Sequence, residues 1–189
     1  MAKRNVDLLN RKYNQDKPES LFTAMIPTNI YGKYDNFSLD NAHVIPGLIH
    51  KAYISAEEAK SKSSDEAFLE VCGSGRPLRQ FIYAPDLAKL ILWMLESYND
   101  KEPIILSPGE YDEVSIGQVA DTVCESFEQI YKINMRVRFQ PNESEGQFKK
   151  TASNKKLRNL NHDFTFTPLK QGIKEVVHWF CSSYPNIRK

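Results

Sequence analysis

The sequence predicts an α/β domain with some parallel strand pairing, and three observations carry that reading. Short apolar runs of strand length alternate with longer stretches of helical period along the chain. Pro, Gly, Asn and Asp bound several of these runs, where they mark turns. The composition is that of a globular chain: of 189 residues, 41% are hydrophobic and 26% charged, with a net charge of +1. So small a net charge argues against a nucleic-acid or anionic-membrane surface, while leaving room for a local basic pocket. No apolar run approaches the roughly 18 residues of a membrane span. Cys72, Cys124 and Cys181 are too few and too scattered for a disulfide framework or a CxxC zinc site, and read as the reduced thiols of a cytoplasmic protein. His43, His50, His162 and His178 have no metal-ligand spacing.

Residues 1–15 read as an amphipathic helix with no cap before it, as if the chain began inside a helix. "LFTAMIPTNIYG" is a buried strand ending at polar Thr28 and Asn29, and "KYDNFSLDNA" is a loop. In "HVIPGLIHKAYISAEEAK" the apolar positions Val44, Leu48, Ile49 and Tyr53 have helical spacing, and Pro46 fits only a first turn, so this helix starts near His43. "AKSKSSDEA" is a surface loop. "FLEVCG" and "QFIYAP" are strands, and "DLAKLILWMLESYN" is an apolar helix that Asp86 is placed to cap. "PIILSPG" is a further strand. Ser115 with Gln118 forms a capping-box pattern before the helix "SIGQVADTVCESFEQIY". "MRVRFQP" alternates as a half-buried strand does, and the stretch after it, through "FKKTASNKKL", is polar and basic. A last helix opens at Thr167-Pro168 and runs to about Ser183. Four to five strands result.

Between two strands stands "GSGRPLR". It lacks the third glycine and following helix of a dinucleotide fingerprint, and the Lys-Ser/Thr pair of a P-loop. Two readings remain: a hairpin whose glycines supply tight backbone angles, or a turn holding Arg79 at a strand edge, where a guanidinium binds a diphosphate through two parallel hydrogen bonds.

The order "IPTNIYG", "DNF", "HVIPGLI", "GSGRPLRQFIYAPDLA", "EGQFKKTASNKKL" decides how the chain is read as a whole. It resembles the carboxyl-terminal part of the GDP-L-fucose synthases, NADPH-dependent 3,5-epimerase-4-reductases of the extended short-chain dehydrogenases, from about Ala2 to Phe180. The resemblance implies the substrate-binding part of a Rossmann-like enzyme whose N-terminal nucleotide-binding half is missing. Residues 1–20 would be a remnant helix of that half, and residues 21–189 a mixed Rossmann-edge and substrate-binding domain.

Residue by residue, the resemblance implies the following. Lys3 matches the lysine of the family's Tyr-x-x-x-Lys motif, whose tyrosine would precede Met1. Pro27, Thr28, Asn29 and Ile30 match the segment along the nicotinamide end of NADP(H). His43 matches the family's proposed epimerisation acid/base, also near NADP; an imidazole titrating near neutrality suits the return of a proton to a carbon beside a ketone. Lys51 and Arg79 match contacts to the GDP-sugar diphosphate, with Cys72 and Glu145 among the other substrate contacts, and Lys149 and Lys150 lie in a segment that approaches phosphate or ribose. The whole enzyme is expected to be a homodimer, and this chain alone to be inactive. Three departures from the family's usual wording touch substrate contacts: Cys72 stands where Trp is common, Lys33-Tyr34 replaces Pro-His before "DNF", and Glu145-Gly146 replaces Asp-Gly. Another sugar-nucleotide epimerase or dehydratase, and a non-catalytic sugar-nucleotide-binding module, are the rival readings.

Overall fold

The structure, a computed structural model, describes residues 2–140 and 146–189, with side chains from residue 5 onward. Among the described residues, eight strands form four two-stranded pairs, more than the four to five expected. Two of the additional strands are the two-residue antiparallel pair at 78–79 and 114–115, and one comes from an expected strand that divides. The apolar run at 25–31 is extended throughout but changes neighbour in its middle. Its first half, β1 (Met25–Pro27), pairs in parallel with β6 (Ile104–Leu106). Its second half, β2 (Asn29–Tyr31), pairs in parallel with β5 (Phe81–Tyr83). The crossover falls at Thr28: its N–H reaches the Leu106 carbonyl at 3.4 Å, while the next N–H, of Asn29, reaches that of Gln80 at 3.3 Å.

The longest pairing is parallel and seven residues long, β3 (Glu66–Cys72) against β8 (Asn134–Gln140). Ala67, Leu69 and Val71 of β3 are buried, while Glu66, Phe68 and Glu70 point the other way, as a period of two requires. Helices α2 (Val44–Ser61), α4 (Ile116–Tyr131) and α6 (Leu169–Ser183) form the main core with this pair. Ala52, Ala56 and Ala59 make one side of α2 small enough to approach closely, and all three are buried. The capping box of α4 is formed: Ser115 Oγ accepts from Gln118 N at 3.1 Å, and Gln118 Oε1 accepts from Ser115 N at 2.8 Å. Helix α1 (Ala2–Asp16) opens the described residues. A second core lies against α3 (Ala84–Ser97) and includes Ile82, Leu90, Ile104, Leu106 and Leu157, the last from the short helix α5 (Lys155–Leu160). Strand β4 (Leu78–Arg79) pairs antiparallel with β7 (Val114–Ser115).

Asp86 does not cap α3. That helix begins at Ala84, with Tyr83 as its N-cap and no side-chain cap bond. The Asp86 carboxylate, buried in the first turn, instead accepts from Thr167 N at 2.7 Å and Thr167 Oγ1 at 3.0 Å, tying α3 to the entry of α6. One buried carboxylate thereby takes the backbone N–H and the hydroxyl of the residue just before the Pro168 N-cap.

Candidate functional site: a crevice at a strand switch point

Open α/β sheets receive ligands beyond the carboxyl ends of their strands, where neighbouring connections part, and the run that changes neighbour at Thr28 marks the candidate crevice here. Here the crevice is built around residues 27–30, the start of β5 and the chain after β6. Thr28 Oγ1 donates to Ser107 Oγ at 3.2 Å, and Asn29 Nδ2 donates to the Gln80 carbonyl at 2.8 Å. Asn154 Nδ2 closes on the Ser107 carbonyl at 3.0 Å. Ile30 presents a side chain that is 40% exposed.

His43 stands at the start of α2 with extended backbone angles and no side-chain cap bond, so its exposed imidazole is not spent on the helix end. Its carbonyl accepts from Gly47 N at 2.9 Å. The loop before it is held from three sides at Phe37, which is fully buried. The Phe37 N–H donates to the Arg188 carbonyl at 3.0 Å, its carbonyl receives Nδ1 of buried His50 at 2.7 Å, and its ring packs on Phe180 with centroids 4.9 Å apart. Lys51 follows two turns along α2 on the same side as His43, about 12 Å away by helix rise. Its Nζ lies 3.7 Å from Cys72 Sγ at the end of β3. The structure thus joins two of the expected substrate contacts.

The glycine turn follows Cys72. Gly73 and Gly75 have φ of 80° and 72°, and a Cβ on Gly75 would run into the Phe139 ring, so both glycines are used as such. Arg79 leaves β4 half-buried, with Nη1 donating to the Leu78 carbonyl at 2.6 Å. Its Nη2 faces Gly146, where a Cβ would stand 3.6 Å away. The basic segment after Gly146 runs beside β4, with Leu78 N donating to the Phe148 carbonyl at 2.8 Å. Lys149 is paired with the Glu113 carboxylate at 3.5 Å, which leaves it less charge for an anion than its sequence neighbourhood suggests. Lys150 is exposed. The side chain of Lys3 and all of Glu145 lie outside the described residues. No group of His, Cys, Asp and Glu able to hold a metal ion occurs among the described residues.

Sequence reasoning missed Gln80 and Tyr83. Gln80 is fully buried between Arg79 and β5. Tyr83 OH donates to Glu175 Oε2 at 2.9 Å, which joins the end of β5 to α6. Burial first, and the Glu175 carboxylate second, push the Tyr83 phenol up to about 12; burial raises Tyr31 as well. Neither phenol is therefore a proton donor matched to neutral pH. Only an unmatched polar residue inside an apolar strand, as Gln80 is in "LRQFIY", could have signalled such a role from the sequence.

Parallel strand pairs with helices between them, and a chain that changes strand neighbour at Thr28, define an α/β fold of the NAD-dependent epimerase and reductase type. The chain belongs to the NAD dependent epimerase/dehydratase family, whose model matches residues 1–111. It is 47% identical over 188 residues to a GDP-L-fucose synthase of Dictyostelium discoideum, matching all of this chain and 55% of that protein. A probable GDP-L-fucose synthase of Drosophila melanogaster is 42% identical over 188 residues, matching all of this chain and 57% of that protein. The crystal structure of a GDP-L-fucose synthetase from Naegleria fowleri bound to NADP superposes with a TM-score of 0.88 at 43% identity, covering all of this chain and 54% of the other. The chain thus spans about half the length of the relatives it matches.

Proposed function

We propose that the chain is the substrate-binding part of a GDP-L-fucose synthase, an enzyme that epimerises GDP-4-keto-6-deoxy-D-mannose at C3 and C5 and then reduces C4 with NADPH. Residues 1–20 belong in this reading to the dinucleotide half, residues 21–189 to the substrate side. The observation that carries it is the contact of Lys51 with Cys72 at the start of the glycine turn, with Arg79 on the strand that follows the turn, in a chain alike over its whole length to proteins of that name.

The chemistry follows from the groups present. The C4 ketone makes the C3 and C5 protons acidic, and the unencumbered imidazole of His43 returns a proton to the enolate from one face. Lys51 and Arg79 neutralise the diphosphate; Arg79 does so with the donors left after Leu78 takes one. Toward a nicotinamide the crevice offers backbone edge and the exposed Ile30, because the Thr28 hydroxyl and Asn29 amide nitrogen are turned to Ser107 and Gln80. That apolar edge suits a flat ring, and bound NADPH supplies the hydride for C4. Lys3 would lower the pKa of the motif tyrosine. GDP and its sugar, rather than nucleic acid or membrane, are the partners in this reading, and the assembled enzyme is a cytoplasmic homodimer. Among the described residues no helix is long and apolar enough to cross a membrane.

Calorimetric titration with GDP tests the proposal. Micromolar to millimolar binding by the chain, weakened about tenfold or more in Arg79→Ala, is expected from loss of a charge-assisted contact. Equal affinity of the two proteins would return the turn to plain structure. NADPH oxidation by this chain with the keto sugar is expected to be undetectable until the dinucleotide half is supplied, and clear turnover without it would contradict the division at residue 20.

A further inference from the structure

One side chain holds more of the crevice than any residue discussed as a ligand contact. Gln80 has no exposed surface. Its Nε2 lies 3.0 Å from each of three carbonyls, those of Pro108, Gly109 and Ala152. Its Oε1 accepts from Ala152 N at 2.7 Å. Its backbone carbonyl receives both Asn29 N and Asn29 Nδ2. Four segments remote in sequence thus meet on one residue: the switch-point strand, β5, the chain after β6, and the basic segment after Gly146. The backbone next to Gln80 on one side is Arg79, and the segment it grips flanks that guanidinium at Gly146. A buried amide with every polar atom engaged is costly to disturb and fixes a single arrangement.

We propose that Gln80 is the positioning residue of this site: it locks the segment 146–154 onto the Pro108-Gly109 turn, and so fixes the place at which Arg79 meets a diphosphate. This rests on the GDP-sugar reading above but assigns no ligand contact to Gln80 itself. The ends of the segment are tied as well, by Leu78 N to the Phe148 carbonyl at 2.8 Å and by buried Asn154 Nδ2 to the Ser107 carbonyl at 3.0 Å, so Gln80 is the lock of its middle, at Ala152; the other ties there are weaker. Thr151 Oγ1 to Glu113 Oε1 at 2.6 Å and the Lys149–Glu113 pair are formed by exposed side chains of the segment, where water competes.

The test uses the full chain with Gln80→Met, near the same volume with no amide, and Gln80→Asn, an amide one methylene too short. Hydrogen exchange without ligand reads the lock directly. The Ala152 amide should exchange at least about tenfold faster in both variants, since it loses its one acceptor, while the Ile82 amide in β5 stays protected. GDP affinity, measured in wild-type and Arg79→Ala backgrounds, reads the consequence. Loss of Gln80 should weaken GDP about tenfold when Arg79 is present and less than about threefold when it is absent, because the two act as a unit. Equal losses in both backgrounds, no loss in either, or unchanged exchange at Ala152 would overturn the proposal. Failure of the wild-type chain to bind GDP would instead sink the GDP-sugar reading and leave the exchange measurement to decide the lock. Should Gln80→Met fail to fold, Gln80→Asn carries both measurements.

Discussion

At the scale of single residues, exposure and chemistry separate the three cysteines sharply. Burial pushes the Cys124 thiol up to about 12 and the Cys181 thiol to about 11, so both stay protonated at neutral pH. Cys72 is exposed and lies beside the Lys51 ammonium. A disulfide reagent at pH 8 should therefore label Cys72 quickly and the other two only on unfolding, and GDP should slow that labelling. Equal rates at all three positions would contradict the burial of Cys124, and labelling indifferent to GDP would separate Cys72 from the ligand. Where the family resemblance implies Trp, Cys72 offers no flat apolar wall. What the sequence did not show is that the ammonium of Lys51 takes up a position against the sulfur.

Elements are held together here by polar contacts that cross long stretches of chain. The Asp86 carboxylate is buried and serves Thr167 twice, so Asp86→Ala should cost about 2–3 kcal/mol in denaturant unfolding, well above a surface substitution. Ser115→Ala, which removes one arm of the α4 capping box, should cost about 1 kcal/mol. The Tyr83–Glu175 contact adds a pH dependence. Hydrogen bonds from Gln171, and then from Tyr83, hold the Glu175 carboxyl below the usual carboxylate range. A group with a depressed folded pKa stabilises above its unfolded value, and that stability is lost as pH falls through the folded value. The contribution is thus present at neutral pH and disappears on acidification below the ordinary glutamate range. Tyr83→Phe should lower neutral-pH stability by about 1 kcal/mol and flatten this part of the acid limb, as followed by circular dichroism; an unchanged limb would mean that Gln171 alone sets it.

How far the elements could be read from sequence follows from the same contacts. Helices α2, α4 and α6 were legible because period, proline position and cap residues lie within a few neighbours of each other. The turn at Gly73 and Gly75 was legible because positive φ is a local demand. Asp86 was misread because a carboxylate in a first turn looks like a cap, and nothing nearby reveals a partner at Thr167. The run at 25–31 reads as one strand because each half has the same apolar character; which neighbour each half pairs with is decided by β5 and β6, far along the chain. Gln80 is invisible for the same reason, since its partners lie at 108, 109 and 152.

Over the whole molecule, one side is well closed and the other is not. The core around β3 and β8 is covered by α2, α4 and α6, whereas Val6, Leu9, Tyr13, Leu21, Met25 and Ile26 expose roughly half their surface along α1 and β1. The dinucleotide half of the proposed enzyme would cover such a surface. The chain by itself should therefore self-associate with rising concentration, as read by light scattering, and Leu9→Lys with Ile26→Lys should suppress that association without loss of secondary structure. Association that persists in the double variant would place the contact elsewhere.

The bond from Phe37 to the Arg188 carbonyl has a practical side. The backbone at Arg188, remote in sequence, is stitched to the loop that carries His43. A proteolytic cut before Arg188 would sever that stitch. Preparations that keep or lose Arg188 should then differ in how firmly the histidine is presented, so a variable affinity for GDP is first to be traced to that segment.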